Sequence, residues 1–332
     1  MNKNIIFLII FSFFCANLDA KSAPTFPNSY DAVYISARSM AMGGAATGLK
    51  KTREAFFYNP ASLINIESNA FDISFFSKKD SQNTDFASDG LISATAIAKS
   101  MSFSWNNISD YSQKIEKPDG SWQKTEFVIS AITIAAANKT GEEDDKSNDT
   151  KTSISIGSAI SYLYARAGQS FVDTVSNNAQ SDMSSGNGFA YDLSVLIPFS
   201  QSLSIGANFK NIVGFMFWNE YDTEQLPFTI RAGIGYEYRK FVFAFDWDNR
   251  FYRFSDLRGD YFHFGAEQYL NDFLAVRVGL ISFTNFDKNS FRYTYGIGAS
   301  IKNGELSIAC ESFDIDENKN YRYIISLSLF ME

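Results

Sequence analysis

The sequence predicts an all-β protein, a transmembrane antiparallel up-and-down β-barrel of about fourteen strands with an N-terminal plug in its lumen. Three observations lead to this fold class: widespread alternation of apolar and polar residues, a high content of aromatic residues, and alternating short and long connections. In a membrane barrel, successive side chains of a strand face lipid and lumen in turn, which gives the sequence a period of two.

The alternation is clear in residues 187–199, where Tyr191 and Leu193 lie on an apolar face and Ala190 and Asp192 on a polar face. Because the polar faces are rich in Gly, Ser and Thr as well as charge, they suit a crowded or wet lumen. Segments of this kind cover 68–77, 89–98, 99–106, 125–137, 151–168, 187–199, 201–213, 226–239, 240–252, 260–270, 272–283, 291–302, 304–313 and 320–330.

The composition also favours a membrane barrel. The 332 residues include 33 Phe and 17 Tyr, and aromatic residues make up 16% of the chain, although the mean hydropathy is −0.15. A soluble protein would have to bury these rings, whereas a barrel places them against lipid. A soluble β-sandwich or propeller is the alternative, and it leaves both the aromatic content and the pattern of connections unexplained.

The connections alternate in length. Short ones fall near Lys99, Ser200, Asn271 and Asn303, and at the pair Arg239-Lys240. Outer-membrane barrels have short periplasmic turns and longer external loops, so we assign the short connections to the periplasmic side. The long connections are 78–88, 107–124, 169–186, 214–225, 253–259, 284–290 and 314–319.

One acidic connection, residues 138–150, is long where a short turn is expected. Either the strand count slips near this loop or the barrel carries an unusual acidic loop on the periplasmic side. We prefer the second interpretation. A solvated run of charges explains its composition better than a divalent-cation site does.

The N-terminus has the features of a signal peptide. Lys3 precedes an apolar run from Ile5 to Phe14, which is too short to span a bilayer as a helix, and a small residue, Ala20, follows. We therefore expect a cleaved signal peptide at 1–20, a plug or hatch segment at 21–67 and the transmembrane barrel at 68–332. Export leaves Cys310 as the one mature cysteine, so no internal disulfide is expected.

Several function classes do not fit the composition. His263 is the single histidine, so the chain has few residues that could act as the general base of nucleophilic catalysis. The net charge is −8, and no cluster of Lys and Arg interleaved with aromatic residues suggests nucleic-acid binding. We predict no enzymatic activity, no nucleic-acid partner, no cofactor and no metal site.

Residues 21–67 do not alternate, and their composition suits a compact plug. Asn59 fits a helix N-cap and Pro60 the first helical position, so a short helix is expected to begin at Pro60. Gly43 and Gly44 allow close backbone packing or positive φ angles. We assign Gly43, Gly44, Asn59, Pro60 and Ala61 to the hatch.

This segment resembles the start of the FadL-like outer-membrane proteins, most closely the PorV/PorQ group. The matching stretches are SARSMAMGGAATG at 36–48 and YNPASLI at 58–64, and the resemblance continues in 209–236 and in the final YRYIISLSLF at 321–330. It implies a fourteen-stranded barrel with an N-terminal hatch in the bacterial outer membrane, in contact with outer-membrane lipid.

The resemblance also implies a function. A FadL-like barrel would take up a hydrophobic, fatty-acid-like small molecule by passive diffusion through a plugged lumen, after capture by the external loops at 169–186 and 214–225. A PorV/PorQ-like barrel would instead be a non-transporting component of type IX protein secretion that binds or shuttles secreted protein cargo. A purely structural barrel is a third possibility.

Two groups of residues are candidate sites for a ligand. Large apolar residues in the 214–225 loop mark a binding groove or, alternatively, an extended strand in the lipid interface. Two arginines on the predicted inner face are expected either to anchor a ligand carboxylate or to pair with lumen carboxylates such as Glu237, Glu267 and Glu311. The candidates are Phe215, Met216, Phe217 and Trp218 in the first group and Arg231 and Arg277 in the second.

Overall fold

A computed structural model of the chain describes residues 34–79, 90–140, 153–251, 258–285, 288–315 and 318–331. The proposed signal peptide and most of the acidic connection lie outside these residues. The described residues form fifteen strands: β1 Asn69–Lys79, β2 Gly90–Ala98, β3 Met101–Glu116, β4 Trp122–Thr140, β5 Ile154–Asp173, β6 Asn178–Pro198, β7 Leu203–Trp218, β8 Glu224–Gln225, β9 Phe228–Tyr238, β10 Phe241–Phe251, β11 Arg258–Tyr269, β12 Leu274–Asn285, β13 Lys288–Ile301, β14 Gly304–Ile315 and β15 Asn318–Met331.

The strands form a closed antiparallel barrel of fourteen long strands. Each long strand pairs with its neighbours in the chain, β1 pairs with β15, and β6 pairs with β7, so the sheet closes on itself. Among the described residues, the two-residue strand β8 pairs only with the end of β7, so it is not counted among the strands that form the barrel wall. The predicted antiparallel β-barrel and its number of strands are confirmed, and the N-terminal plug stays a prediction.

The two faces of the wall differ as the alternation predicts. Large apolar side chains such as Phe103, Ile134 and Val278 are more than half exposed on the outer face. The neighbouring inward residues include Ser104 and Glu267, which are buried. An outer belt of exposed rings and aliphatic groups is the surface that a barrel presents to lipid.

The wall is taller on one side than on the other. Strands β3 to β7 have 16 to 21 residues, whereas the remaining long strands have 9 to 14. The expected long connections at 107–124, 169–186 and 214–225 are therefore wrong, because most of these residues continue the strands. At 169–186 alternation fails for a physical reason: water contacts both faces of a strand that extends beyond the lipid, so both faces are polar. At 215–218 it fails because both faces of the strand are apolar.

The facing ends of β4 and β5 lie at the same end of the barrel as the short turns. Thr140 at the end of β4 pairs with Ile154 at the start of β5, so the strand count does not slip there. Residues 141–152 of the acidic connection lie outside the described part of the chain. Among the described residues, no helix is long and apolar enough to cross a membrane.

The described part of the N-terminal segment forms three short helices: α1 Ala37–Ala41, α2 Ala55–Tyr58 and the 3-10 helix η1 Pro60–Asn65. A helix begins at Pro60, as expected, and the Asn59 side chain accepts a hydrogen bond from the backbone N–H of Ala61 at 3.1 Å. Ser36 caps α1 with a reciprocal hydrogen-bond pair to Ser39.

These helices contact inward-facing side chains on opposite sides of the barrel. The helix α1 packs against β12 to β15, and η1 packs against β3 to β6. Met40, Ala55 and Leu63 have no exposed surface. The segment therefore lies inside the wall. Lys50 lies at the short-turn end of the barrel, where its ammonium donates to the backbone carbonyl of Ser200.

Candidate functional site

Small wall residues let the backbone of the N-terminal segment approach the strands closely. Gly157 on β5 faces the start of η1, and a Cβ atom at this position would overlap the backbone of Pro60 and Ala61. Gly43 and Gly44 have φ angles of +61° and +78°, a region that favours glycine. The five residues assigned to the hatch thus lie at the contact between the segment and the wall.

Wall side chains also satisfy the backbone polar groups of the segment. The Asp246 carboxylate accepts hydrogen bonds from Ala46 and Thr47 N–H, each at 2.9 Å. Asn208 donates to the Tyr58 carbonyl at 3.0 Å, and the Ser204 hydroxyl donates to the Gly48 carbonyl at 2.7 Å. Because buried backbone groups are costly when unpaired, these side chains fix the position of the segment.

A network of buried charges joins the segment to β11, β12 and β14. The Glu267 carboxylate pairs with Arg38 of the segment at 2.8 Å and with Arg277 at 2.6 Å. The Arg277 guanidinium reaches Glu305 at 2.7 Å, and Glu305 pairs in turn with Arg53 at 2.8 Å. Such a chain of alternating charges stabilises the fold only while every member is present, since a lone buried charge is costly.

Glu54 completes this network from within the segment. Burial alone would raise its pKa, but the charges of Arg38 and Arg53 and hydrogen bonds from Ser36 and Thr52 outweigh burial and hold the pKa of Glu54 below its ordinary value. The carboxylate is therefore ionised at neutral pH and balances part of the positive charge of the arginines.

A second group of charges surrounds Arg231 on β9. Its guanidinium lies 3.0 Å from Asp246 and 3.7 Å from Asp248 and covers the Tyr58 ring at 4.8 Å. The His263 Nδ1 atom donates to the Gly43 carbonyl at 2.7 Å. Arg231 and Arg277 thus lie in ion pairs with lumen carboxylates, which is one of the two alternatives the sequence left open.

The taller side of the wall encloses an apolar group of inward-facing residues, which we call the apolar cluster. Trp218 lies 6.2 Å from Phe127, centroid to centroid, and both rings are at least nine-tenths buried. The cluster consists of Phe127, Ile129, Ala131, Leu163, Ala165, Ala167, Ala190, Met216, Trp218 and Leu226. All members of this cluster are apolar, so they give this part of the lumen an apolar surface.

A cavity of about 70 Å³ lies between the apolar cluster and the N-terminal segment. Phe56 and Phe57 of the segment line one side, and Leu163 and Leu226 of the cluster line another. Lys210 borders the cavity, where its ammonium lies 3.9 Å from the centroid of the Phe57 ring and donates to the Phe57 carbonyl at 3.4 Å. The lining also includes the charged residues Asp192, Arg231, Asp248 and Arg250, so the cavity has an apolar side and a charged side.

The four apolar candidates at 215–218 belong to strand β7 and not to a loop. Met216 and Trp218 face inward and belong to the apolar cluster. Phe215 and Phe217 face outward, where their ring centroids lie 5.9 and 6.2 Å from that of Phe189. A strand alternates its side chains between faces, so only half of this group can meet a lumen ligand.

Sequence reasoning missed Phe127, Leu163 and Lys210. Phe127 and Leu163 lie within predicted strands, at positions where the inward face was expected to be polar. The sequence feature that could have revealed them is a stretch in which both faces of a strand become largely apolar, as in residues 127–132 of β4. Lys210 follows the alternation but carries no local signal for the cavity that it borders.

Comparisons with known proteins identify the fold. No family profile matches the chain, and no curated protein matches it. Solved structures do match: the toluene transporter TbuX of Ralstonia pickettii has a TM-score of 0.66 at 12% identity, covering 91% of this chain and 99% of that one. The FadL-like barrel is therefore the architecture of this chain.

Two further hydrocarbon channels have the same FadL-like barrel. The toluene transporter TodX of P. putida has a TM-score of 0.59 at 11% identity, covering 91% of this chain and 99% of its own. The monoaromatic hydrocarbon channel CymD has a TM-score of 0.59 at 10% identity, with 91% and 98% covered. At this identity the likeness concerns the fold alone, and the PorV/PorQ grouping stays a prediction.

Proposed function

We propose that this protein lies in the bacterial outer membrane and lets a small hydrophobic compound enter by passive diffusion. The observation that carries this proposal is the apolar cluster, which fills the lumen above a cavity bordered by Phe57. A polar solute would lose its hydration among the residues of the apolar cluster without gaining hydrogen bonds from them. An apolar solute gains about 25 cal/mol for each Å² of its surface removed from water.

The size of the cavity favours a compact ligand. Its volume of about 70 Å³ is small beside the roughly 300–1,000 Å³ of pockets for drug-sized ligands. Benzene binds in a cavity of about 150 Å³, so a single aromatic ring requires some enlargement of this space and an extended acyl chain requires more. The channels of similar fold are described as transporters of toluene and of monoaromatic hydrocarbons, so toluene is the first compound to test.

Two barriers separate the outside from the short-turn end of the lumen. The first is the apolar cluster, where Trp218 contacts Phe127 and, at 6.1 Å between centroids, Tyr221. The second is the N-terminal segment, which acts as the hatch around Asn59, Pro60 and Ala61. A ligand passes the first barrier by replacing one apolar contact with another and the second when the hatch shifts.

The Trp218→Ala variant tests the first barrier. Each aromatic contact of Trp218 contributes about 0.5–1.5 kcal/mol, and about 1.4 kcal/mol corresponds to a tenfold change in rate. We expect uptake of radiolabelled toluene by cells that produce this variant to rise by about tenfold. Small polar solutes, which the wild type excludes, should also enter.

Trp105→Ala is the matched control, because Trp105 is on the outer face of β3 and its indole N–H donates to the Tyr164 hydroxyl. This control should leave toluene uptake unchanged. Equal uptake by cells with the wild type, the Trp218 variant and no barrel at all would contradict the proposed function.

The secretion hypothesis rests on a different observation, the close fit of the N-terminal segment to the wall. Gly157 and Asp246 hold the segment so firmly that a permanently closed lumen is the alternative to a moving hatch. A closed barrel suits a non-transporting component that binds secreted protein cargo. Retention of a tagged type IX cargo protein on the purified barrel, together with no uptake of toluene, would favour this alternative.

A further inference from the structure

The tall side of the wall forms a second concave surface above the apolar cluster, which we call the vestibule. Its volume is about 490 Å³, and its lining consists of Gln123, Gly168, Gln169, Phe171, Gln180, Asp182 and Tyr221. The size falls within the range of about 300–1,000 Å³ that small-molecule sites occupy. Most of this lining falls within 169–186 and 214–225, which the sequence analysis expected to be loops that capture a hydrophobic ligand.

The strand register places the polar side chains of the vestibule side by side. Gln123 on β4 lies opposite Phe171 on β5, which lies opposite Gln180 on β6. In the next row toward the lumen, Gln169 lies opposite Asp182. Residues directly opposite share one face of a sheet, so three amides and one carboxylate project into the same space.

This face is the inner face of the wall. Phe127 lies on β4 four residues after Gln123, so the two side chains share a face, and Phe127 belongs to the apolar cluster. Tyr221 covers the vestibule from the chain that follows β7, and its ring lies edge-on to Trp218. The vestibule is thus the water-exposed entrance to the lumen.

The tips of the strands are tied together, which makes the vestibule rigid. The Thr174 hydroxyl donates to the Asp119 carbonyl at 2.7 Å, and the Thr174 N–H donates to the Ser121 hydroxyl at 3.1 Å. These bonds join the β3–β4 turn to the β5–β6 turn. A surface held in one arrangement binds a ligand with a smaller loss of entropy.

Gly168 shapes the floor of the vestibule. Its φ angle is +149°, and a Cβ atom at this position would overlap the Asp182 carbonyl oxygen. Glycine therefore lets β5 and β6 approach closely at this point. The side chains of Gln169 and Asp182 on either side are exposed.

The chemistry of the lining selects a class of ligand. Among the described residues, the lining includes no lysine or arginine, so no cationic side chain attracts an anion here. Each glutamine offers two donors and one acceptor, and a carboxylate accepts only. Partial burial, followed by the carboxylates of Asp182 and Glu220, raises the pKa of Tyr221 above its ordinary value, so the phenol is neutral.

We propose that the vestibule binds a neutral saccharide, whose hydroxyls bond to Gln123, Gln169, Gln180 and Asp182 while the apolar face of a sugar ring packs on Tyr221. A sugar presents many donors and acceptors on one edge and C–H groups on its faces. The amides and the carboxylate of the vestibule match the hydroxyls of a sugar, and its aromatic rings match the C–H faces. This site lies at the entrance to the apolar route of the proposed function and shares Tyr221 with its first barrier, but it takes a different class of ligand.

Saturation-transfer NMR with maltose, lactose and chitobiose tests this site on the full-length protein. The protein is kept in an amine-oxide detergent, because a maltoside detergent would compete. We expect transfer to the ring protons of at least one saccharide, and a fivefold to tenfold weaker affinity in the Gln180→Leu variant, about the effect of one net hydrogen bond. The same substitution at Gln201, in an exposed turn at the opposite end of the barrel, should change nothing.

A second arm separates a free sugar from the head of a glycolipid. Dodecyl maltoside below its micelle concentration carries the maltose head on an alkyl chain. Tighter binding of this probe than of maltose, sensitive to Gln180→Leu, identifies a glycolipid head as the ligand. No transfer to any of the four probes, or transfer that the Gln180 and Asp182→Asn variants leave unchanged, overturns the proposal whether or not toluene is taken up.

Discussion

Replacing Arg277 by methionine should lower the free energy of unfolding by about 3–5 kcal/mol, because the change leaves the Glu267 and Glu305 carboxylates buried without their shared partner. Arg277 is 2% exposed, so water cannot compensate for the loss. The midpoint of urea unfolding, followed by tryptophan fluorescence in detergent, measures this effect.

Arg166→Met is the matched control for this prediction. Arg166 lies on β5 with an exposed side chain and a 3.7 Å pair to Glu126, and an exposed pair contributes at most about 1 kcal/mol. Similar losses in the two variants would mean that the buried network does not hold the N-terminal segment to the wall.

Replacing Gly157 by valine should displace η1 from the wall. The new Cβ atom would overlap the backbone at Pro60 and Ala61, and neither backbone can yield as a flexible side chain can. Overpacking costs about 1–3 kcal/mol, occasionally more, and we expect the upper end of this range. The consequence is a loosened hatch and a higher leak of small polar solutes.

Labelling of a Ser62→Cys probe in a Cys310→Ser background measures this displacement. Ser62 is fully buried in the wild type, so a maleimide should react slowly there and much faster after the Gly157 change. Gly90→Val is the control, because no atom of the described residues lies within 4 Å of a Cβ at Gly90. Equally slow labelling in all three proteins would show that the segment does not depend on the contact at Gly157.

The fold could be predicted from the sequence because alternation reports which side of the wall faces lipid. The pattern in β9 and β10 is unbroken, and those strands have nearly the predicted bounds. The same logic failed at 169–186, since a strand with water on both faces has no apolar face to reveal it. The helix start at Asn59-Pro60 was predictable because capping is a local property of the chain.

The candidate site was predictable only in part. Met216 and Trp218 were candidates because they are large and apolar. That they face the lumen while Phe215 and Phe217 face outward depends on the path of β7. The cavity beside Phe57 joins residues from the N-terminal segment, β5 and β7, which are distant in the chain. Likewise, the pairing of Arg38 with Glu267 spans 229 residues, and no local pattern reports such a contact.

The most direct test of the central claim is a crystal structure of the barrel soaked with iodobenzene, whose iodine is located by anomalous scattering. The account predicts an iodine position inside the barrel, between Phe57 and the apolar cluster near Leu163 and Leu226. Iodine found only on the outer wall, in the lipid-facing groove lined by Ile234 and Phe264, would contradict it.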